Sequence, residues 1–153
     1  MATRNPVSSA NLMGHPLHPM LITLPIGFWV ATWIADIGFW STGSEMWATA
    51  ALWLLGAAII AAALAATAGL VDFIGDARIR DLGDAWQHAI GNVLAVLLSI
   101  FNFFWRFENG SAAVLPVGLI ISFVVIGIIL FTGWKGGELV FRHRVAVYDE
   151  PRP

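Results

Sequence analysis

A chain of 153 residues that is 58% hydrophobic and only 12% charged departs far from the globular balance of about 25% charged, and its mean hydropathy of +0.77 marks an integral membrane protein. A net charge of −2 offers no clustered basic face, so no nucleic-acid partner is expected. The absence of cysteine excludes disulfides, thiol catalysis, cysteine-ligated iron–sulfur clusters and covalent c-type haem, leaving nitrogen and oxygen as the metal ligands available.

Residues 1–19 are polar and are read as a cytoplasmic N-terminal segment ending in "GHPLHP", two His-Pro pairs. The apolar run that follows lacks a small-x-small cleavage site and is expected to stay in the membrane. Pro19 suits a first helical turn, where its missing N–H would be unpaired in any case. His15-Pro16 lies outside the helix and reads as a stiffened lead-in.

Four apolar runs can be marked, Met20–Trp40, Met46–Val71, Asp84–Trp105 and Val114–Trp134. At about 1.5 Å per residue each can cross a hydrocarbon core of about 30 Å. Short links make successive helices antiparallel. The expected fold is therefore all-α, an antiparallel four-transmembrane-helix bundle over residues 20–134, with a cytoplasmic tail over 135–153.

In the first run Pro25 predicts a kink or opened turn. Asp36, about 24 Å along that helix at 1.5 Å per residue, is an intramembrane acid that needs a partner. Arg106 is the basic residue on that side, and a structural ion pair is expected. The second run, "GAAIIAAALAATAG", offers small-xxx-small spacing at Ala57, Ala61 and Ala65 for close helix packing.

Along the third run His88, Asn92, Ser99 and Asn102 fall within an arc of about 80° at 100° per residue. Such a stripe should face the bundle interior. Ser99 and Asn102 read as interhelical hydrogen-bonding residues. Asn92, one turn above His88, either orients it or contacts a cofactor. In "GWKGGE", after the fourth run, Walker spacing is missing. Those glycines are expected to let the chain leave the helix and pass close to a neighbour. No hydrolase elbow, phosphate loop or clear internal repeat is visible, and no catalytic residue is assigned.

Arg4, Arg78, Arg80, Lys135, Arg142, Arg144 and Arg152 lie on one side of this topology and Arg106 alone on the other. The excess places both ends of the chain and the second link in the cytoplasm of a multi-pass inner-membrane protein. Trp86 and Trp134 would belt the inner interface, and Trp40, Trp47 and Trp105 the outer one.

The same topology gathers all four histidines at the cytoplasmic end. Imidazole suits zinc, copper, nickel or iron, and axial histidines suit b-type haem. His18 and His88 are the best ligand pair, with Asn92 beside them. The wider candidate metal set is His15, His18, His88, His143, Asp72 and Glu138. Interfacial histidines also serve simply to reach water.

The motifs "GHPLHPMLITLPIG", "GLVDF", "HAIGN" and "GWKGGELVFRHRVAV" resemble, in this order, those of a bacterial membrane family catalogued as domain-of-unknown-function family 2231. The resemblance runs from about Gly14 to Val147. It implies a four-helix bacterial membrane protein without an assigned activity, a companion of respiratory or redox systems. Its pattern highlights His15, His18, Asp72, His88, Glu138 and His143. This chain departs from it at Thr23, where members often have histidine, and at Arg144, where they have glycine. The first departure removes one potential ligand.

The expected function is a cofactor-binding module in the membrane, holding b-type haem or a transition metal for electron transfer. A non-catalytic accessory subunit is the alternative, packed against lipid, a larger redox membrane complex or a second copy in a homo-oligomer. A transporter is less well supported, since only the first helix is visibly broken.

Overall fold

A computed structural model describes residues 5–148 of the chain; Arg4 and Arg152, both used above to orient the topology, lie outside those residues. Three helical stretches are long and apolar enough to cross a membrane, Leu17–Thr42, Glu45–Gly75 and Gly83–Phe141. The first comprises a short α1 (Leu17–Leu21) and α2 (Thr23–Thr42), and the second is α3 (Glu45–Gly75). A one-turn α4 (Ala77–Arg80) follows. The third stretch folds back on itself, giving α5 (Gly83–Asn109) and α6 (Leu119–Phe141). Four long helices thus form the bundle.

Neighbours around the bundle are α2 with α3, α3 with α5, α5 with α6 and α6 with α2. Sequential helices are antiparallel: Gly38 lies against Trp47 near one end of α2 and α3, and His18 bonds to Ala65 near the other. In the second hairpin Asn102 meets Ser122, Asn92 meets Thr132 and Asp84 meets Lys135. This leaves the α1–α2 arm and α5 diagonally opposed, with their side chains meeting across the axis. His18 faces His88, Trp29 donates to Ser99, and Arg106 donates to Asp36. The last two pairs are each 70 positions apart, and so is the first. A constant offset means two parallel rods in register, one from each hairpin. Two of the three contacts join unlike residue types, which hides the repeat from a comparison of the letters.

On α3 the buried residues Ala48, Ala51, Leu55, Ala58, Ala62 and Ala65 alternate steps of three and four, the seam of a coiled-coil-like packing. Of the Ala57/Ala61/Ala65 row expected from small-xxx-small spacing, Ala61 and Ala65 are buried and Ala57 is only half-buried. Trp29, Leu55, Ala58, Ala62, Ala95, Val125 and Ile129 form the central apolar cluster.

Helix ends differ from the hydropathy boundaries. The regular α6 begins at Leu119 rather than Val114, because Leu115 precedes Pro116 and takes extended angles, φ −116° and ψ 134°, as the proline ring disfavours the helical region for its predecessor. At its other end α6 continues through Gly136 and Gly137 to Phe141. The glycines of "GWKGGE" therefore do not end the helix; Gly136 instead admits a neighbour. Near Pro25 the helix is divided at Ile22, which keeps helical angles and both its backbone bonds, while the proline lacks the N–H that would reach Leu21 O.

Residues 5–16 form a cap over one end of the bundle. Asn11–Leu12 (β1) and His15–Pro16 (β2) pair as a small antiparallel ribbon, turned by Met13 and Gly14 at φ 49° and 79°, the two positive angles that a tight hairpin turn requires. Asp72 of α3 accepts from Ser8 Oγ at 2.8 Å and Ala10 N at 2.7 Å. Asp76 accepts from Val7 N at 3.1 Å. The tail after α6 joins the cap, with Ala146 N donating to Pro6 O and Tyr148 Oη to Gly14 O.

Candidate functional site

Of the four histidines, the fold brings two together under the cap. The ring centroids of His18 and His88 are 5.9 Å apart, with planes at 83°. Each ring is held in the same way by the outer helix of its own hairpin. His18 Nδ1 donates to Ala65 O at 2.8 Å, and His88 Nδ1 donates to Thr132 O at 2.8 Å. A carbonyl can only accept, so both Nδ1 atoms carry the proton and Nε2 keeps its lone pair in the neutral ring.

A helical carbonyl is normally shielded by the side chain one turn further on. At both contacts that residue is glycine. A Cβ on Gly69 would stand 2.8 Å from His18 Nδ1, and one on Gly136 would stand 3.1 Å from His88 Cε1. Glycine costs roughly 1 kcal/mol relative to alanine in a helix interior, and here it opens the carbonyl to the imidazole. Gly69, set in an otherwise alanine-rich helix, was the sequence signal for this device, legible only with its partner known.

Asn92 does not reach an imidazole directly. Its Nδ2 donates to the backbone oxygen of His88 at 2.7 Å, and its Oδ1 accepts from Thr132 Oγ1 at 3.2 Å. Thr132 is thereby fixed through its hydroxyl while its carbonyl holds His88.

The remaining members of the expected set lie apart. His15 is exposed in β2. Asp72 anchors the cap through Ser8 and Ala10. Glu138 pairs with Arg142 at 3.4 Å on the surface. His143 Nε2 lies 2.9 Å from Asp84 Oδ2, while Lys135 Nζ donates to the other oxygen at 2.8 Å. Asp84 thus ties the start of α5 to the end of α6 and the tail. Among the described residues no group of three or more His, Asp or Glu side chains is placed to hold a metal ion, and of the expected set it is His18 and His88 that stand together.

Asp76, in the link before α4, accepts from the Arg78 guanidinium at 2.6 and 3.0 Å. That contact, with further bonds from the Val7 and Arg78 amides, holds its carboxyl well below the usual carboxylate range against the opposing effect of burial. Arg80 donates to Phe73 O and Ile74 O, satisfying the last carbonyls of α3, a favourable place for a cation.

At the opposite end Arg106 holds Asp36 through two parallel bonds. Its Nε donates to Asn102 Oδ1 at 3.0 Å and its Nη2 to Ser122 Oγ at 3.2 Å. No buried side-chain nitrogen or oxygen among the described residues lacks a partner. Halfway along, Ser99 Oγ accepts from Trp29 Nε1 and donates to Ala95 O, both at 2.8 Å. The polar stripe of α5 thus faces inward for most of its length.

The family model described as "Predicted membrane protein (DUF2231)" matches residues 14–149. No curated protein and no solved structure matches the chain.

Proposed function

The chain belongs to the DUF2231 family of predicted membrane proteins, and we propose that it is a cofactor-binding module of the bacterial inner membrane whose His18 and His88 imidazoles hold a transition metal or b-type haem for electron transfer. The observation that carries this reading is the matched anchoring of the two rings. A metal-ligating histidine characteristically donates its second ring N–H to a carbonyl or carboxylate, which fixes the tautomer and the ring orientation. Both rings have that arrangement before any ligand is considered. The carboxylate candidates Asp72 and Glu138 are already engaged, the first in holding the cap and the second in pairing with Arg142.

A visible spectrum and metal analysis of detergent-purified protein test the reading. A stoichiometric metal or a haem absorption band is expected, and it should be lost on replacing His18 or His88 with alanine. A colourless protein without stoichiometric metal overturns it.

The orientation is part of the same proposal. Arg78, Arg80, Lys135, Arg142 and Arg144 lie at the capped end, whereas Arg106 at the other end is neutralised by Asp36. That asymmetry favours a cytoplasmic cap. A reporter placed at Ser44 should read as periplasmic; a cytoplasmic signal there reverses the topology.

A second reading, an accessory subunit, draws on an open apolar groove of about 530 Å³ on α5 and α6, lined by residues including Ile90, Gly91, Leu94 and Gly127. Under that reading, replacing both histidines leaves the assembly with its partner intact and abolishes no redox activity.

A further inference from the structure

We infer that the ligand of the His18–His88 pair is a single monovalent copper ion, bound by the two Nε2 atoms alone; the inference rests on the cofactor-binding reading and narrows it to holding the ion, because a site that penalises the divalent state does not suit electron transfer. With each Nδ1 committed to a backbone carbonyl, the pair offers two nitrogen donors. Among the described residues no third histidine or carboxylate joins them. Zinc in structural sites takes four ligands and in catalytic sites three from the protein. A closed-shell monovalent copper ion is satisfied by two nitrogens in a near-linear arrangement.

The spacing agrees. With metal–nitrogen bonds of about 2.0 Å and about 1.1 Å from nitrogen to ring centre, centroids stand about 5 Å apart at a tetrahedral angle and about 6.2 Å apart when linear. With both Nε2 atoms turned toward the shared ion, the observed 5.9 Å lies toward the linear limit.

Charge points the same way. The site has no carboxylate to neutralise an ion, and the desolvation penalty grows with the square of the charge, so a monovalent ion carries about a quarter of the penalty of a divalent one. Gly69 and Gly136 seat the rings closely against α3 and α6, since a single added carbon would stand 2.8–3.2 Å from their Nδ1 and Cε1 atoms. The matched anchoring also gives each hairpin one equivalent donor, as a two-coordinate ion on the bundle axis requires.

The test uses the full chain in detergent under anaerobic, reducing conditions, titrated with monovalent copper against a competing chelator. One equivalent is expected, silent in electron paramagnetic resonance, with two nitrogen neighbours by X-ray absorption. His18→Ala and His88→Ala should each weaken binding at least a hundredfold, while His143→Ala retains it. The absorption measurement needs no variant, so a misfolded mutant does not remove the test. Three or more nitrogen or oxygen neighbours overturn the inference, as does copper retained in both alanine variants. A haem band dependent on His18 and His88 also overturns it, yet leaves the broader cofactor reading standing. Failure to bind any metal or haem overturns both.

Discussion

Arg106 reaches across the bundle from α5 and donates to both oxygens of Asp36 on α2, at 2.5 and 2.7 Å, with neither side chain more than 2% exposed. Removing one member of such a pair leaves an uncompensated charge in the core, which costs about 3–5 kcal/mol, whereas replacing both with apolar groups of similar volume is often neutral. Asp36→Leu and Arg106→Met should therefore each lower the unfolding midpoint in detergent strongly, and the double variant should recover most of the loss. Additive losses in the double variant would show that the pair does not act as a unit. Asn102 and Ser122, which lose their contact with the guanidinium, set the limit on that recovery.

The glycines make a sharper comparison. Gly69→Ala and Gly136→Ala should displace the His18 and His88 rings and reduce cofactor retention severalfold while leaving the helices formed. Gly133 has nothing within 4 Å of an added Cβ, so Gly133→Ala should leave retention unchanged and add up to about 1 kcal/mol of helix stability. Equal effects at all three positions, measured as bound cofactor per chain, would defeat this account of the rings.

Midway through the membrane, Ser99→Ala strands the indole N–H of Trp29 in a buried setting. An unmade buried hydrogen bond costs about 1–3 kcal/mol. Trp29→Phe in the Ser99→Ala background should recover part of that loss, because the orphaned donor is then gone. A double-mutant cycle by chemical denaturation reads the coupling directly.

Acid should release the cap late. The Asp76 carboxyl titrates below its ordinary value of 3.8 in the folded chain, so the anchoring it provides is fully present above that value. It is lost only as pH falls through the lowered folded value. Hydrogen exchange at the Val7 and Arg78 amides should stay slow through mild acid and accelerate below the usual carboxylate range. In Asp76→Asn the same amides should exchange fast at neutral pH.

The spans, the inward polar stripe on α5 and the meeting of Asp36 with Arg106 can be traced in the letters, because apolar length, a 100° period and a lone intramembrane charge each leave a local mark. What could not be read locally is pairing. The hub at Asp84 needed the return of α6 to bring Lys135 and His143 beside it. Ser8 and Asp76 look like ordinary polar residues until the cap closes on them, and Asp72, expected as a metal ligand, instead anchors that cap. The role of Gly136 was hidden because a glycine beside a helix end reads as a stop signal. The later start of α6 came from Leu115, whose conformation is dictated by the proline after it and not by its own hydropathy.

The cap also imposes an order on biogenesis. Asn5 Nδ2 donates to Val147 O, a partner 142 positions away, and Pro6 O accepts from Ala146 N. Residues 5–16 are made before α6 and the tail, and although Asp72 and Asp76 can already anchor them, their bonds to residues 146–147 wait until the last helix is in place. Until then the cap rests on Asp72 and Asp76 without the clasp of the tail. A chain stalled before residue 143 should insert its helices and leave the cap unclasped.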